Sequence, residues 1–159
     1  MVIDVAENSP KAQAASLIAM QRWLALATVD ESGVPTASYV PFAPVLGGFA
    51  IVVSRLSAHT PHLLARRPAA VLVVGDGTED PYSRSRLSVD VTPRTNPAGS
   101  KEAQTIWSAL QKRHGETVAI LHTLPDFEAI SLDPKHGRLV LGFASAHNLD
   151  AATITELLR

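Results

Sequence analysis

The chain contains no cysteine among its 159 residues. It therefore cannot form disulfides, thiolate zinc sites or iron–sulfur clusters, and it has no cysteine nucleophile. A chain that needs no disulfides is typical of a reducing compartment, and we expect a cytoplasmic protein.

Charged residues are also scarce, at 18% of the sequence against roughly 25% in an average soluble domain. An ordinary protein rich in alanine and valine would show this composition, and so would one whose weakly charged surface is covered by a second subunit, because charge is depleted at interface cores. The formal net charge is −1, and no basic stripe is present, so we expect no nucleic-acid partner.

Long apolar segments are missing as well. The stretch 17–29 is interrupted by Gln21 and Arg22 and is too short to span a bilayer. Asp4 and Glu7 precede any apolar run, which is unlike a secretory signal. We expect no membrane association.

Short apolar or alternating runs, mostly separated by turn residues, make up much of the chain. The length suits one domain, and we divide it into an N-terminal arm and helix, residues 1–22, and a single domain, residues 23–159. Many short strands with few helices predict a mostly β, α+β protein built on an antiparallel barrel or sandwich. The strand runs are 23–29, 35–40, 49–53, 69–74, 84–91, 127–132 and 138–143.

The remaining segments are predicted as loops and helices. Residues 93–99 and 133–137 contain proline and glycine and are interpreted as a loop and a turn. Ser100 is expected to cap a helix, and residues 150–158 are expected to form a terminal helix.

A polar cluster lies just before a predicted helix. Ser54, Ser57, His59 and Thr60 precede or open the segment in which Pro61 occupies an early helical position. Hydroxyl, imidazole and backbone N–H donors are groups that bind phosphate. An ordinary helix cap with serine loop residues explains the same pattern.

Two arginines share a strand face. Arg84 and Arg86 are two residues apart, so both side chains point the same way in a strand. Paired guanidinium groups suit a phosphate or two carboxylates, although a solvated strand face is an alternative. Tyr39 and Pro41, at the end of another strand, could line a flat ring or belong to the core.

Six histidines occur, at 59, 62, 114, 122, 136 and 147. His59 and His62 are separated by Pro61 and lack carboxylates at metal-ligand spacing, so a zinc site is not predicted. Imidazole suits heme iron, and His147 is the candidate ligand if heme is bound. Neither a complete nucleotide-binding fingerprint nor a serine-nucleophile motif is present, and no catalytic residue is assigned.

Several of these segments resemble the flavin-binding split barrels related to pyridoxamine 5′-phosphate oxidase. The stretch 26–35, Leu-Ala-Thr-Val-Asp-Glu-Ser-Gly-Val-Pro, resembles their first hairpin. Residues 54–63 and the sequence Ser85-Arg86-Leu87 resemble the HugZ-like heme-utilisation branch, as does the closing segment 137–144. The resemblance extends over roughly residues 23–150 and implies an antiparallel split β-barrel with a few flanking helices.

The resemblance also implies a homodimer that holds a small-molecule cofactor between its subunits. In the flavin enzymes a serine and a lysine help to hold the FMN phosphate, and their places are taken here by Ser57 and His59. A strand arginine of those enzymes falls near Ser38. The leading prediction is an FMN-binding flavoprotein that acts as an oxidoreductase.

The alternative is a heme-binding protein. The resemblance to the heme branch implies oxygen-dependent opening of the heme ring with an external reductant. In that reading Arg84 and Arg86 hold the propionates and His147 approaches the iron. A non-catalytic module that stores or delivers heme, and a barrel that has lost its ligand, are further alternatives.

Overall fold

The computed structural model describes residues 8–77 and 80–159, so most of the predicted arm at residues 1–11 lies outside the described residues. The strands are β1 Trp23–Val29, β2 Pro35–Pro41, β3 Ala43–Val45, β4 Gly48–Ser54, β5 Ala69–Val74, β6 Arg86–Asn96, β7 Phe127–Val140 and β8 Ala146–Asp150. The α-helices are α1 Pro10–Met20, α2 Thr60–Leu64, α3 Lys101–His114, α4 Glu116–His122 and α5 Ala151–Leu157.

The strands form one antiparallel sheet in the order β2-β1-β5-β6-β7-β4-β3, and β8 pairs with β7. This sheet curls into a half-barrel. The predicted fold class, a mostly β split barrel with flanking helices, is confirmed. Its concave face is filled by a continuous hydrophobic cluster because apolar residues alternate along each strand. Members of that cluster from β1, β5 and β6 are Leu24, Leu26, Val71, Val73, Leu87, Val89 and Val91.

Strand β7 corrects one prediction, because the expected turn at 133–137 is part of a continuous 14-residue strand. On the side away from β6, β7 pairs with β4 as far as Leu132 and with β8 from His136 onward. Pro134 falls in the gap between these two partners. Proline lacks a backbone N–H, so it is tolerated where a ladder bond is not required.

Strand β6 corrects a second prediction, because the expected loop at 93–99 continues the strand to Asn96. The pairing of β6 with β5 stops at Val91, opposite Ala69, the first residue of β5. Strand β7 still pairs with β6 beyond this point, with Leu132 opposite Pro93. Pro93 therefore lies where β6 has lost its partner on one side, again a position that proline tolerates.

Helix α3 has a buried apolar stripe that consists of Ala103, Ile106, Trp107 and Leu110. The stripe packs with α4 against Ala43, Ala50 and Ala129 in a second hydrophobic cluster on the other side of β3, β4 and β7. As predicted, the Ser100 side chain caps the helix by accepting from the Ala103 N–H at 3.1 Å. The indole of Trp107 stacks on the His122 ring at 4.3 Å between centroids.

The first and last helices, α1 and α5, pack on the sheet. Arg113 on α3 donates to the carbonyls of Ile18, Ala19 and Gln21 at the end of α1, which are left without partners inside a helix. The expected terminal helix is confirmed as α5, capped by Asp150. The boundary proposed at residue 22 remains a prediction. Within the described ranges, no helix is both long and apolar enough to cross a membrane.

The position of β7 at the centre of these contacts generates a stability prediction. Leu132 is fully buried between Phe49 on β4 and Pro93 on β6. Leu132→Ala removes packed methyl groups and leaves a cavity, so we expect a loss of about 2–5 kcal/mol in the free energy of unfolding. Urea denaturation measures this loss. The control Lys135→Ala, exposed on the same strand, should change stability by less than about 0.5 kcal/mol. Equal losses would contradict the assigned core.

Candidate functional site

The loop between β4 and α2 carries the predicted phosphate-binding cluster, and its hydroxyl groups already bond to the protein. The Ser54 hydroxyl donates to the Asp126 carboxylate at 2.6 Å and accepts from the Leu56 N–H at 3.1 Å. The Thr60 hydroxyl donates to the Ser54 carbonyl at 2.5 Å, and the Ser57 carbonyl accepts from the Thr60 N–H at 3.1 Å. The loop is thus closed on itself, with a carboxylate at its base.

His59, the last residue of this loop before α2, is almost fully buried, with 9% of its surface exposed. Its Nδ1 shares a 2.7 Å hydrogen bond with the Ser38 hydroxyl on β2. Its Nε2 is buried and has no hydrogen-bond partner among the described residues. Burial, and secondarily the charge of His62, lower the pKa of His59 below its usual 6.5. The imidazole is therefore held in its neutral form at neutral pH.

His62 makes a matching contact one turn further along α2. Its Nδ1 shares a 2.9 Å hydrogen bond with the Thr28 hydroxyl on β1. Thr28 and Ser38 lie on the less exposed face of β1 and β2. Two histidine–hydroxyl hydrogen bonds therefore hold α2 and the residue before it against the β1–β2 hairpin.

Within one subunit, the predicted arginines lie far from this loop. Ser54 pairs with Phe127 at the start of β7, whereas Arg86 pairs with Val140 at its end. The thirteen intervening steps correspond to about 40 Å along the strand, at roughly 3.3 Å per residue. Within one subunit the structure does not bring the serine–histidine loop and the arginine pair into one site.

Arg86 instead lines a separate cleft of ≈ 540 Å³. This cleft lies where β6 and β8 begin and β7 ends. Arg138 lines the same cleft, as do the aromatic rings of Tyr82 and Phe143. These two rings are 6.5 Å apart between centroids and are 76% and 77% exposed. We call this the aromatic cleft. Two cations and two exposed rings form a surface suited to a flat ligand with acidic groups.

The backbone positions both arginines of the aromatic cleft on the convex face of the sheet. Arg86 precedes the buried Leu87 and therefore points outward. Its Nη1 donates to the Arg84 carbonyl at 3.2 Å. Arg138 donates from Nη1 to the Asn148 side-chain oxygen at 3.2 Å. Arg84 is exposed and does not line the cleft.

His147 lies beside the aromatic cleft but on the other face of the sheet. It pairs with Leu139, which is buried, whereas Asn148 pairs with Arg138. Directly paired residues share a face, so His147 and Arg138 point in opposite directions. The His147 Nε2 shares a 3.2 Å hydrogen bond with the Ser145 hydroxyl, and Ser145 lines the cleft.

Tyr39 and Pro41 lie on the convex face of β2 and are exposed. The Tyr39 ring, 66% exposed, stacks on Trp23 at 4.6 Å between centroids. Small apolar residues continue the same face on β1 and β2. We call the whole set the apolar outer face; its members are Trp23, Ala25, Ala27, Ala37, Tyr39 and Pro41.

Sequence reasoning missed three residues of the aromatic cleft, namely Tyr82, Arg138 and Phe143. The signal for Arg138 is its register, because it lies opposite Ser88, two residues after Arg86. Register depends on long-range pairing and is not readable from a local pattern. Tyr82 and Phe143 follow turn residues, where exposed aromatic side chains give no periodic signal.

The two regions differ in how well they fit the cofactors that the sequence predicts. At the loop, His59 is neutral, the hydroxyls of Ser54 and Thr60 are engaged, and Asp126 adds a negative charge. This arrangement does not fit the dianionic phosphate of FMN. The unpartnered Nε2 of His59 is the one feature there that calls for a further hydrogen-bonding group. At the aromatic cleft, Arg86 and Arg138 fit two carboxylates beside a flat ring.

Comparisons with known proteins agree with this architecture. Residues 10–141 match the family model described as pyridoxamine 5′-phosphate oxidase. The chain is 27% identical to the heme oxygenase HutZ of Vibrio cholerae over 140 residues, which is 87% of this chain and 80% of that protein.

Solved structures show the same fold. The structure described as HutZ, the heme storage protein from Vibrio cholerae, matches with a TM-score of 0.74 at 26% identity over 82% of this chain and 92% of that one. A heme binding protein from Mycobacterium smegmatis matches with a TM-score of 0.85 at 19% identity over 93% of this chain. This chain spans 60% of the length of the Mycobacterium smegmatis chain.

The contact between the two histidines generates a pH prediction. His62→Gln removes the charge that secondarily lowers the pKa of His59, so the His59 pKa should rise. It should stay below 6.5, because burial is the larger cause and is unchanged. NMR titration of the imidazole ring measures both values, with the exposed His136→Gln as control.

The same shift predicts how stability depends on pH. The unfolded chain binds a proton at His59 more readily than the folded chain, so the free energy of unfolding should fall as the pH drops through 6.5 toward the folded pKa. His59→Gln should reduce this slope. For the preceding prediction, an unchanged His59 pKa in His62→Gln would show that the charge of His62 does not lower the pKa of His59.

Proposed function

Because the chain belongs to the pyridoxamine 5′-phosphate oxidase family, we propose that it binds a planar anionic cofactor, and that this cofactor is heme, held at the aromatic cleft. The observation that carries the proposal is the pair of outward-facing arginines, Arg86 and Arg138, beside the exposed rings of Tyr82 and Phe143. This reverses the order of the two cofactors given by the sequence, in which FMN came first.

The charge of the cleft supports heme. Its propionates are two carboxylates on one edge of a flat, apolar ring. Guanidinium groups bind carboxylates through charge-assisted hydrogen bonds, and none of the described residues that line the cleft is acidic. Tyr82 and Phe143 offer ring surface that the protein leaves largely uncovered, which is an unusual use of large apolar side chains.

Heme supplies one-electron and oxygen chemistry when it is bound. In this proposal the chain's own residues bind and orient it: the arginines hold the acidic edge, and the aromatic side chains contact the ring. His147 remains the predicted iron ligand. Its side chain points away from Arg138. To ligate a heme in the cleft, His147 would have to give up its hydrogen bond to Ser145 and turn toward the cleft; otherwise the heme would have to bind on the opposite face of the sheet.

The relatives support a heme ligand and are compatible with two activities. HutZ is described both as a heme oxygenase and as a heme storage protein. Heme-dependent oxygenase activity is therefore one form of the proposal, and non-catalytic storage is the other. Adding a reductant and oxygen to the heme complex separates them, because only the oxygenase would consume the heme. The lack of cysteine favours a reducing, cytoplasmic setting for either activity.

FMN remains the second candidate because two observations favour it. The family model covers residues 10–141, and the buried Nε2 of His59 lacks a partner among the described residues. A flavin phosphate would have to displace the contacts of Ser54 and Thr60 and use Ser57 together with His59. The flavin would supply electron transfer.

We further propose that the chain forms a homodimer through the apolar outer face. Trp23 and Tyr39 are 40% and 66% exposed, and the neighbouring outward positions on β1 and β2 are alanine, valine or proline. Exposed apolar patches of this kind mark interaction surfaces, and aromatic residues are enriched at interface cores. A second copy of the chain is the simplest partner because it supplies the same surface.

The heme proposal predicts the outcome of a hemin titration. The wild-type chain should develop a Soret band that saturates, and the double variant Arg86→Gln and Arg138→Gln should bind at least about tenfold more weakly, because each lost charged hydrogen bond contributes about 1.5–3 kcal/mol. Arg55→Gln, an exposed arginine near the Ser54 loop, is the matched control and should bind as the wild type does. His147→Ala should shift the band if His147 ligates the iron.

FMN titration by calorimetry tests the second candidate in the same proteins. Binding that is lost in His59→Ala and retained in the double arginine variant would assign the cofactor to FMN at the loop and would overturn the heme proposal. Hemin binding that does not change in the double variant would show that the aromatic cleft is not the site.

The dimer proposal predicts that Tyr39→Glu weakens self-association. A carboxylate placed within the apolar outer face would have to lose water without a partner, so the dimer should dissociate at least about tenfold more readily. Analytical ultracentrifugation measures this change. Ile120→Glu, which places the same charge on the exposed surface of α4, is the control. A monomeric wild-type chain would contradict the proposal.

A further inference from the structure

Helix α2 ends with an arginine at a position that usually belongs to glycine. The Arg66 N–H donates to the Leu63 carbonyl at 3.0 Å, and the Arg67 N–H donates to the His62 carbonyl at 3.1 Å. This pair of bonds is the Schellman motif, whose first residue beyond the cap adopts a left-handed conformation. Arg66 has φ 54°, which is strained for a residue with a side chain. The chain thus keeps a guanidinium where glycine would be more stable.

A β-bulge brings a second cation to the same region. Asp90 on β6 pairs with His136 and Val91 pairs with Pro134, so Lys135 is the extra residue between them. Bulges redirect side chains and occur often beside functional sites. Lys135 is exposed and forms no hydrogen bond or ion pair with other described residues.

Arg66, Arg67 and Lys135 line one cleft of ≈ 390 Å³, which we call the basic cleft. Asp90 is the single acidic residue among the described residues of its lining, so three positive charges face one negative charge there. The floor contains apolar residues such as Val91 and Pro93.

The nearby acidic residues do not neutralise this cleft. Asp133 is bound by Arg94, through Nε at 2.8 Å and Nη2 at 3.1 Å. Glu31 approaches Arg67 no closer than 3.9 Å, and its side chain is 85% exposed. The chain as a whole carries a formal net charge of −1, so this concentration of positive charge is a local feature.

We propose that the basic cleft binds the phosphate group of a small phosphorylated molecule. The net charge of its lining is opposite to that of a phosphate dianion, and arginine side chains are well suited to bind phosphate oxygens. Backbone strain in a folded protein is often retained at functional positions, and Arg66 combines such strain with a charge directed to the cleft. The volume is in the range of small-molecule sites.

The basic cleft lies apart from the regions assigned above. It includes neither residues of the aromatic cleft nor the Ser54–Thr60 loop, so the proposal goes beyond cofactor binding. A long polyanion is disfavoured because the formal charge of the whole chain is slightly negative and a nucleic acid requires an extended basic surface.

The glycine-like conformation of Arg66 provides an unusually sharp test. Arg66→Gly relieves the left-handed strain and should raise the midpoint of thermal unfolding measured without phosphate. The same change should weaken the binding of inorganic phosphate by about tenfold, because it removes one charge-assisted contact. Isothermal titration calorimetry at constant ionic strength, in the full chain, measures the affinity. Lys135→Gln should weaken phosphate binding without the gain in thermal stability.

The matched control is Lys101→Gln, which removes one exposed positive charge at the start of α3, away from the basic cleft. It should bind phosphate as the wild type does. Wild-type binding that does not saturate by concentrations on the order of 10 mM, or equal binding in Arg66→Gly, would overturn the proposal. So would saturable binding of a single-stranded oligonucleotide in the absence of any binding of inorganic phosphate.

Discussion

The pairing of β7 with three other strands is the constraint on which the rest of the structure depends. Strand β7 pairs with β6 from Ala129 to Val140, with β4 up to Leu132 and with β8 from His136 onward. Pairing with β4 at the start of β7 positions the loop that carries Ser54. Pairing with β6 and β8 at the end of β7 positions the aromatic cleft. Between them, the change of partner creates the gap that accommodates Pro134 and the bulge at Lys135. One strand thus sets the distance between the regions proposed to bind ligands.

Electrostatics gives those regions different chemistry. The Ser54–Thr60 loop is polar but closed, with a neutral His59 bonded to Ser38 and a carboxylate below. The two clefts at β6 and β7 hold arginine and lysine side chains that few acidic groups oppose. The positive charge of these two clefts therefore lies outside the buried concave face. The concave face is apolar and buried.

Much of the fold could be predicted because alternation is a local signal. The buried positions of β1, β5 and β6 follow directly from it, and so does the stripe on α3. The errors at 93–99 and 133–137 arose from Pro93 and Pro134, which indicate a turn unless it is known that a neighbouring strand has ended there. That information lies in the pairing of distant residues.

For the candidate site too, the local groups of residues could be predicted, but their positions relative to one another could not. Local spacing placed Arg84 and Arg86 on one face and gathered Ser54, Ser57, His59 and Thr60 in one loop. It could not show that β7 separates the two groups, nor that Arg138 joins Arg86. The resemblance to split barrels singled out Ser38 as the position of a strand arginine in the flavin enzymes, but the hydrogen bond between Ser38 and His59 was visible only in the structure.

The two tryptophans of the chain lie in opposite surroundings. Trp23 is 40% exposed and stacks on Tyr39 at the apolar outer face, whereas Trp107 is 8% exposed and stacks on His122 between α3 and α4. Their fluorescence emission should therefore differ in wavelength, with the buried indole to the blue. With Trp23→Phe and Trp107→Phe, one emission band would report on the convex surface and the other on the packing of the helices, so the protein carries separate optical probes for association and for folding.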